Sequence, residues 1–147
     1  MTLSKDIKFD CAHVLSDYNG KCANLHGHTY HGKVTIIAKG PDVDTCMIMD
    51  YNDIKHVVDQ FDHAVVFSAE AYRDSKEDAL MRTVQANRWR YIVVDGKSTA
   101  ECISQYLVNE FLRLLRNMPG RVTVEVRLSE TDGSWCFAKG VQENECC

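Results

Sequence analysis

The chain has 147 residues, 45% of them hydrophobic, and a formal net charge of −4 at neutral pH. That length suits one domain burying roughly two thirds of the surface its unfolded chain exposes, and the intermixed acidic and basic residues form no basic stripe with interleaved aromatics, which sets nucleic acid aside as a partner. No apolar stretch reaches bilayer length and residues 1–6 hold no apolar leader segment, so a soluble, cytoplasmic protein with no membrane partner is expected.

Prolines stand only at Pro41 and Pro119, and no low-complexity run or solenoid repeat divides the chain, so residues 1–147 read as a single domain. Residues 6–15 alternate, with Ile7, Phe9, Cys11 and His13 on one face, and predict a strand. Tyr18-Asn19-Gly20-Lys21 supplies turn chemistry. From His28 onward Tyr30, Val34, Ile36 and Ala38 alternate against Thr29, His31, Lys33, Thr35 and Lys39, a second strand that closes a long hairpin whose loop holds Cys22. Asp50 opens a helix, with Asp53 as its partner in a capping-box-like arrangement and Tyr51, Ile54, Val57, Val58 and Phe61 at helical spacing; it ends near Gln60.

Residues 68–90 are charged and weakly patterned, with a short helix expected over 75–85 and a strand over 89–94. Ser98-Thr99-Ala100-Glu101 opens a second long helix whose apolar stripe is Ile103, Tyr106, Leu107, Phe111, Leu114 and Leu115, stopped by Met118-Pro119-Gly120. Val122, Val124, Val126, Leu128 and Glu130 then alternate, and residues 131–134 turn into a last strand containing Trp135 and Phe137. The pattern is that of an α+β fold, an antiparallel four-stranded sheet with two helices on one face.

Chemistry concentrates in three histidines. Alternate residues of a strand share a face, so His26 and His28 present two imidazoles side by side, with Gly27 leaving the other face clear. Antiparallel pairing across about 4.8 Å would bring His13 to the same hairpin mouth. Three imidazoles would leave a Zn²⁺ ion one open position, the arrangement of a catalytic zinc site.

Seven cysteines are an odd number at irregular spacing, so no disulfide framework is expected. Cys11, Cys46, Cys102 and Cys136 sit in apolar sequence and read as small buried hydrophobes, while Cys146 and Cys147 end a polar tail expected at the surface. Cys22 differs: it follows Gly20-Lys21 just ahead of two candidate ligands, where Lys21 and a nearby cation favour the thiolate. Glu130 continues an apolar row as a carboxylate, which calls for a cavity, a cation or a ligand with paired N–H donors; a strand frayed into solvent would also explain it. Glu101 fits the third position of a cap opened by Ser98, the reading favoured here. Asp62-His63 can be an acid orienting an imidazole base, or an ordinary loop pair.

Taken in order, Phe9-x-x-Ala12-His13, Cys22-x-x-x-His26-Gly27-His28, Met49-Asp50-Tyr51-x-x-Ile54-Lys55, Phe61-Asp62-His63, Ser98-Thr99-Ala100-Glu101 and Glu130-Thr131 resemble the 6-pyruvoyltetrahydropterin synthase and 6-carboxytetrahydropterin synthase family. The resemblance covers about residues 5–67 and 96–140, and the short spacing from Cys22 to His26 is similar to the bacterial 6-carboxy branch of queuosine and deazapurine biosynthesis. It implies His13, His26 and His28 as zinc ligands, Cys22 as catalytic thiol, Asp62 and His63 as a proton relay, and Glu130 with Thr99 as contacts of a pterin ring. It also implies the tunnelling fold, in which sheets of several subunits join into a barrel, a homo-oligomer, a hexamer being favoured, with sites between subunits, and 7,8-dihydroneopterin triphosphate as substrate. Residues 68–95 then read as an insertion. Against this stand the 6-pyruvoyl branch, a zinc-binding protein without catalysis, and a zinc hydrolase, for which the His26-Gly27-His28 segment carries no carboxylate base.

Overall fold

Period-two alternation builds four long strands, and a continuous apolar run that lacks it builds a fifth. The computed structural model describes residues 1–42 and 44–144, so Cys146 and Cys147 lie outside the described residues. In chain order the elements are β1 (Thr2–His13), β2 (His26–Ala38), α1 (Tyr51–Val58), β3 (Ala64–Ser68), α2 (Ser75–Ala86), β4 (Tyr91–Val94), α3 (Ala100–Leu114), β5 (Gly120–Thr131) and β6 (Ser134–Asn144). All six strands form one sheet in the order β4-β3-β1-β2-β5-β6.

The sheet corrects the expected four-stranded antiparallel arrangement. The block β1-β2-β5-β6 is antiparallel throughout, but β3 joins β1, and β4 joins β3, in parallel, and there are three helices rather than two. β3 is Ala64-Val65-Val66-Phe67-Ser68, an apolar run without alternation, which periodicity does not separate from the end of the preceding helix. Parallel neighbours need a crossover, and α2 supplies it between β3 and β4. Residues 68–95 are therefore folded onto the sheet: Phe67, Ala71 and Val84 form a second small core with Val65, Leu80 and Met81 packed on it. Glu77 is 7% exposed there and accepts from the Ser68 N–H at 2.8 Å; burial raises its pKa against that hydrogen bond.

The main core lies between the helices and the face of the sheet carrying Phe9, Tyr30, Val34, Ile36, Val122, Val124, Val126 and Leu128. Phe9 stacks on Tyr30 with centroids 5.0 Å apart and leans on Phe61 at 5.4 Å. Asp50 caps α1 by accepting from the Asn52 N–H at 2.7 Å, while Asp53 donates its own N–H to the Asp50 carbonyl. Ile54, Val57 and Val58 turn inward from that helix. α3 buries Ile103, Leu107, Val108 and Phe111. It stops before Met118-Pro119-Gly120 because β6 satisfies its last carbonyls: Gln142 donates to Leu112, and Asn144 to Leu115 and Met118.

Outward-facing residues of the same strands are polar along β1 and β2 but aromatic on β6, where Trp135 and Phe137 are exposed. Among the described residues, β1 pairs with β3 only over Cys11–His13, so most of that edge has no neighbouring strand, and neither does the outer edge of β6. In the middle of the sheet Gly32 allows close approach: a Cβ there would stand 2.4 Å from the Arg127 carbonyl oxygen and 3.0 Å from Leu128 Cδ1. Gly32→Ala is expected to cost about 1–3 kcal/mol, read as a lower urea midpoint at unchanged slope.

Candidate active site

The β1–β2 register delivers the expected cluster. His13 lies opposite His26 and Cys11 opposite His28, so three rings of like parity share one face at the hairpin mouth. One nitrogen from each of His13, His26 and His28 lies within 4.8 Å of the other two. Ring centroids are 4.5 Å apart for His13 and His26, 5.2 Å for His13 and His28, and 4.9 Å for His26 and His28.

The hydrogen bonds behind the rings decide what the cluster can hold. His13 Nδ1 donates to the Ser98 carbonyl and His26 Nδ1 to the Asn24 carbonyl, the latter at 2.7 Å. Each Nε2 is then left with a lone pair, and these two atoms stand 3.1 Å apart. Burial lowers the His13 pKa, opposed by the Ser98 bond and Glu130, so its ring is biased to the neutral, ligating form. Two neutral rings facing each other in this way present both lone pairs to a shared cation, whether a metal ion or a proton. Nitrogens on a tetrahedral zinc at about 2.05 Å would stand roughly 3.3 Å apart, close to what the rings present. The donor set fits a divalent ion, and backbone carbonyls behind metal-binding imidazoles are a recurring support.

A cleft of about 340 Å³ opens beside the triad, lined by His13, Cys22, Thr99, Glu101 and Glu130 among others. Cys22 reaches it from a short 3-10 turn, Lys21–Ala23, tied back by the Leu15 N–H donating to the Cys22 carbonyl. Glu130 is at the end of the inward row of β5, as its parity requires; it accepts from the Tyr30 hydroxyl at 2.9 Å and its Oε1 lies 3.9 Å from His13 Nε2. Burial, first, and the Glu130 charge push the Tyr30 phenol far up, so it remains a donor. The helix cap is Thr99, accepting from the Cys102 N–H, and not Ser98. Glu101 is thereby moved off the capping-box position and stands exposed in the cleft, a placement the sequence reading did not favour and that only the one-residue shift of the cap reveals.

Ser98 stands behind the His13 ring. Its hydroxyl donates to the Val14 carbonyl at 3.0 Å while its own carbonyl serves His13. Beyond it lies a second crevice of about 420 Å³, lined by Ser16, Asp17, Arg73, Glu77, Lys97 and Ser98.

Asp62 and His63 are not in the Cys22 cleft. His63 faces an open hollow of about 460 Å³ lined by Asp10, Ala12, Gly27 and Thr29, of opposite parity to the triad, and also by Cys11 and His28, which share the triad's parity. His63 Nδ1 bonds Asp62 Oδ2 at 2.8 Å, and Asp62 Oδ1 accepts from the Asp10 N–H at 3.0 Å. The Asp10 amide and then the His63 ring hold the Asp62 carboxyl below the usual range. His63 sits at φ 57°, a left-handed conformation uncommon for a residue with a side chain, and its N–H donates to the Asp10 carbonyl. The other thiols are quieter. Cys11 is buried and pushed up to about 12, chiefly by burial; Cys102 and Cys136 are half-buried, and Cys46, expected inside, is exposed in a turn.

An α+β sheet with a cluster of three imidazoles beside a cleft that holds a thiol and two carboxylates defines a site for a divalent ion and a small polar ligand. Sequence comparison makes this specific: the profile of the 6-pyruvoyl tetrahydropterin synthase family matches residues 2–141. The 6-carboxy-5,6,7,8-tetrahydropterin synthase of Haemophilus influenzae is 31% identical over 91% of this chain and 95% of its own length. A putative 6-carboxy-5,6,7,8-tetrahydropterin synthase of Pyrococcus abyssi is 30% identical over 87% of this chain and 83% of its own length. Among solved structures, the 6-pyruvoyl tetrahydropterin synthase of Plasmodium falciparum superposes with a TM-score of 0.59 at 19% identity, covering 95% of this chain and 98% of that one. The chain belongs to the 6-pyruvoyl tetrahydropterin synthase family, whose members are pterin enzymes.

Replacing His26 by Ala removes one of the two facing nitrogens and leaves the buried His13 ring its bond to the Ser98 carbonyl. It is expected to lower zinc affinity by a factor of about 100 or more, measured by competition with a chromophoric chelator, with the far-ultraviolet circular dichroism unchanged.

Proposed function

We propose that this protein is a zinc-dependent lyase that converts 7,8-dihydroneopterin triphosphate to 6-carboxy-5,6,7,8-tetrahydropterin, releasing acetaldehyde and triphosphate, as in queuosine and deazapurine biosynthesis. The observation that carries this reading is the pair of lone-pair nitrogens of His13 and His26 facing each other at 3.1 Å, beside a cleft that also holds Cys22 and Glu130. The 6-carboxy product is favoured by the names of the relatives matched over most of the chain and by the short spacing from Cys22 to His26.

His13, His26 and His28 would hold the zinc, which supplies polarisation of the substrate's side-chain hydroxyls and stabilisation of the charge left when a carbon-bound proton departs. Glu130 accepts the ring N–H and exocyclic amino group of the pterin as a bidentate pair. Thr99 caps α3 through its oxygen, leaving the hydroxyl proton free to donate to the same ring. Cys22 takes the proton from the substrate side chain and returns it, and Asp62-His63 relays protons to solvent. The face on which His63 lies is wrong for the Cys22 cleft of its own chain, so the relay serves the site of a neighbouring subunit. The open edges of β1 and β6 supply the contact: joined edge to edge, sheets of successive copies close into a barrel, and exposed edges favour such pairing. We propose a homo-oligomer on this basis, with a hexamer of two trimers as the form that the family resemblance favours.

The runner-up, a 6-pyruvoyl product, uses the same residues without cleavage of the side chain. Incubating the purified zinc-loaded protein with 7,8-dihydroneopterin triphosphate is expected to release acetaldehyde, detected by coupled alcohol dehydrogenase; triphosphate release without acetaldehyde would select the pyruvoyl branch, and no turnover would defeat both. Cys22→Ala is expected to lose at least about a thousandfold in kcat with full zinc content, since its thiol is the group that takes and returns the substrate proton.

The shared site makes a separate prediction. Cys22→Ala and His63→Ala subunits, each inactive as pure assemblies, should regain activity after mixed unfolding and refolding, because some interfaces then pair an intact Cys22 with an intact His63. Strictly additive, near-zero activity of the mixtures would show that each chain supplies its own relay.

A further inference from the structure

Tyr30 touches no reacting atom in the reading above, yet it packs against both halves of the site. Its ring is fully buried, stacked on Phe9 and edge-on to His28 with centroids 5.8 Å apart. Its hydroxyl donates to Glu130 Oε1 at 2.9 Å, the one hydrogen bond that Glu130 receives from another side chain among the described residues. The same oxygen lies 3.9 Å from His13 Nε2. Ligand atoms on a tetrahedral zinc stand roughly 3.3 Å apart. A small swing of Glu130 would therefore bring this oxygen toward an ion held by the triad, and opposite charge favours that swing at short range. A carboxylate so moved would fill the open coordination position and leave the pterin ring without its anchor.

We propose that Tyr30 is a positioning residue that holds Glu130 off the metal, keeping the fourth position open and the carboxylate turned to the cleft. The inference deepens the function proposed above and rests on it. An O–H···O⁻ bond is charge-assisted and strong for its size. The stack on Phe9, 12° from parallel, fixes the phenol ring within the core, so the hydroxyl is anchored and cannot follow the carboxylate. Tyr30 thus couples two tasks that otherwise compete for one side chain: binding the ligand and leaving room for it at the ion.

Tyr30→Phe removes one oxygen and keeps the ring and its stack; Glu130 is half-exposed and can take water in place of the lost donor, so the fold is expected to survive. The metal-free protein is loaded with Co²⁺, and its visible d–d absorption, Co²⁺ affinity and affinity for neopterin are measured. Expected for Tyr30→Phe are a changed d–d spectrum, Co²⁺ affinity higher by about 10-fold or more, and neopterin affinity lower by a similar factor. Adding Glu130→Gln to Tyr30→Phe should return spectrum and Co²⁺ affinity to those of Glu130→Gln alone. A Tyr30→Phe protein with wild-type spectrum and Co²⁺ affinity overturns the proposal, as does a change that persists without the Glu130 carboxylate. None of these readouts needs turnover. A protein that binds Co²⁺ at the triad but releases no acetaldehyde defeats the lyase assignment and leaves the Tyr30 result readable, while failure to bind Co²⁺ at all defeats both.

Discussion

Two imidazole nitrogens held 3.1 Å apart, with their protons committed to carbonyl oxygens behind them, are the constraint around which the rest of this molecule is arranged. The pairing exists only in one strand register. A slip of one residue between β1 and β2 would send His13 to the opposite face from His26 and leave Ala12 or Val14 against that ring. That register is enforced far from the site, because a slip would put Ile7 and Phe9 of β1 on the opposite face from Tyr30, Val34 and Ile36 of β2 and empty part of the core. The hydrophobic effect along the hairpin thus sets a metal geometry at its mouth.

Much of this was legible in the sequence because alternation is a strong signal where one face is buried. Phe9, Cys11 and His13 share parity, Tyr30, Val34 and Ile36 continue that of His26 and His28, and Glu130 ends the row of Val122 to Leu128; in each case a polar residue in an apolar register belongs to the triad or to the cleft beside it. What escaped has equally physical causes. β3 lacks alternation because it is short and covered, and β4 could not be expected in parallel without it. Helix starts are set by which side chain reaches the first free amides, and Ser98 and Thr99 are both competent; the choice of Thr99 decides whether Glu101 caps a helix or faces a ligand. Cys46 was assigned inside from its apolar neighbours, but Asp42 and Thr45 fold that stretch into a hydrogen-bonded turn at the surface. Which face Asp62 and His63 would occupy depends on β3, and was not readable without it.

The sheet keeps its two sides chemically apart. The helix-covered side carries the core and, where the core runs out, the triad and its carboxylate; the other side carries Asp10, Thr29 and the Asp62-His63 pair, locked to the β1 backbone by reciprocal hydrogen bonds. The left-handed backbone at His63 is retained because Asp10 bonds both its N–H and the neighbouring carboxylate. In the proposed assembly these two sides meet only across different chains, so a monomer would own every group and complete no site.

Ser98 extends the reach of the metal centre into a part of the chain that touches no ligand in the proposed reaction. One of its oxygens orients the His13 ring of the triad and the other pins the strand end that carries that ring, while its far side is a wall of the crevice built by Glu77, Arg73 and Lys97. Drift in those crevice residues would retune the ring's tilt and basicity at a distance. Residues 73–97 therefore bear on the triad through a single backbone oxygen, without any of them touching an imidazole.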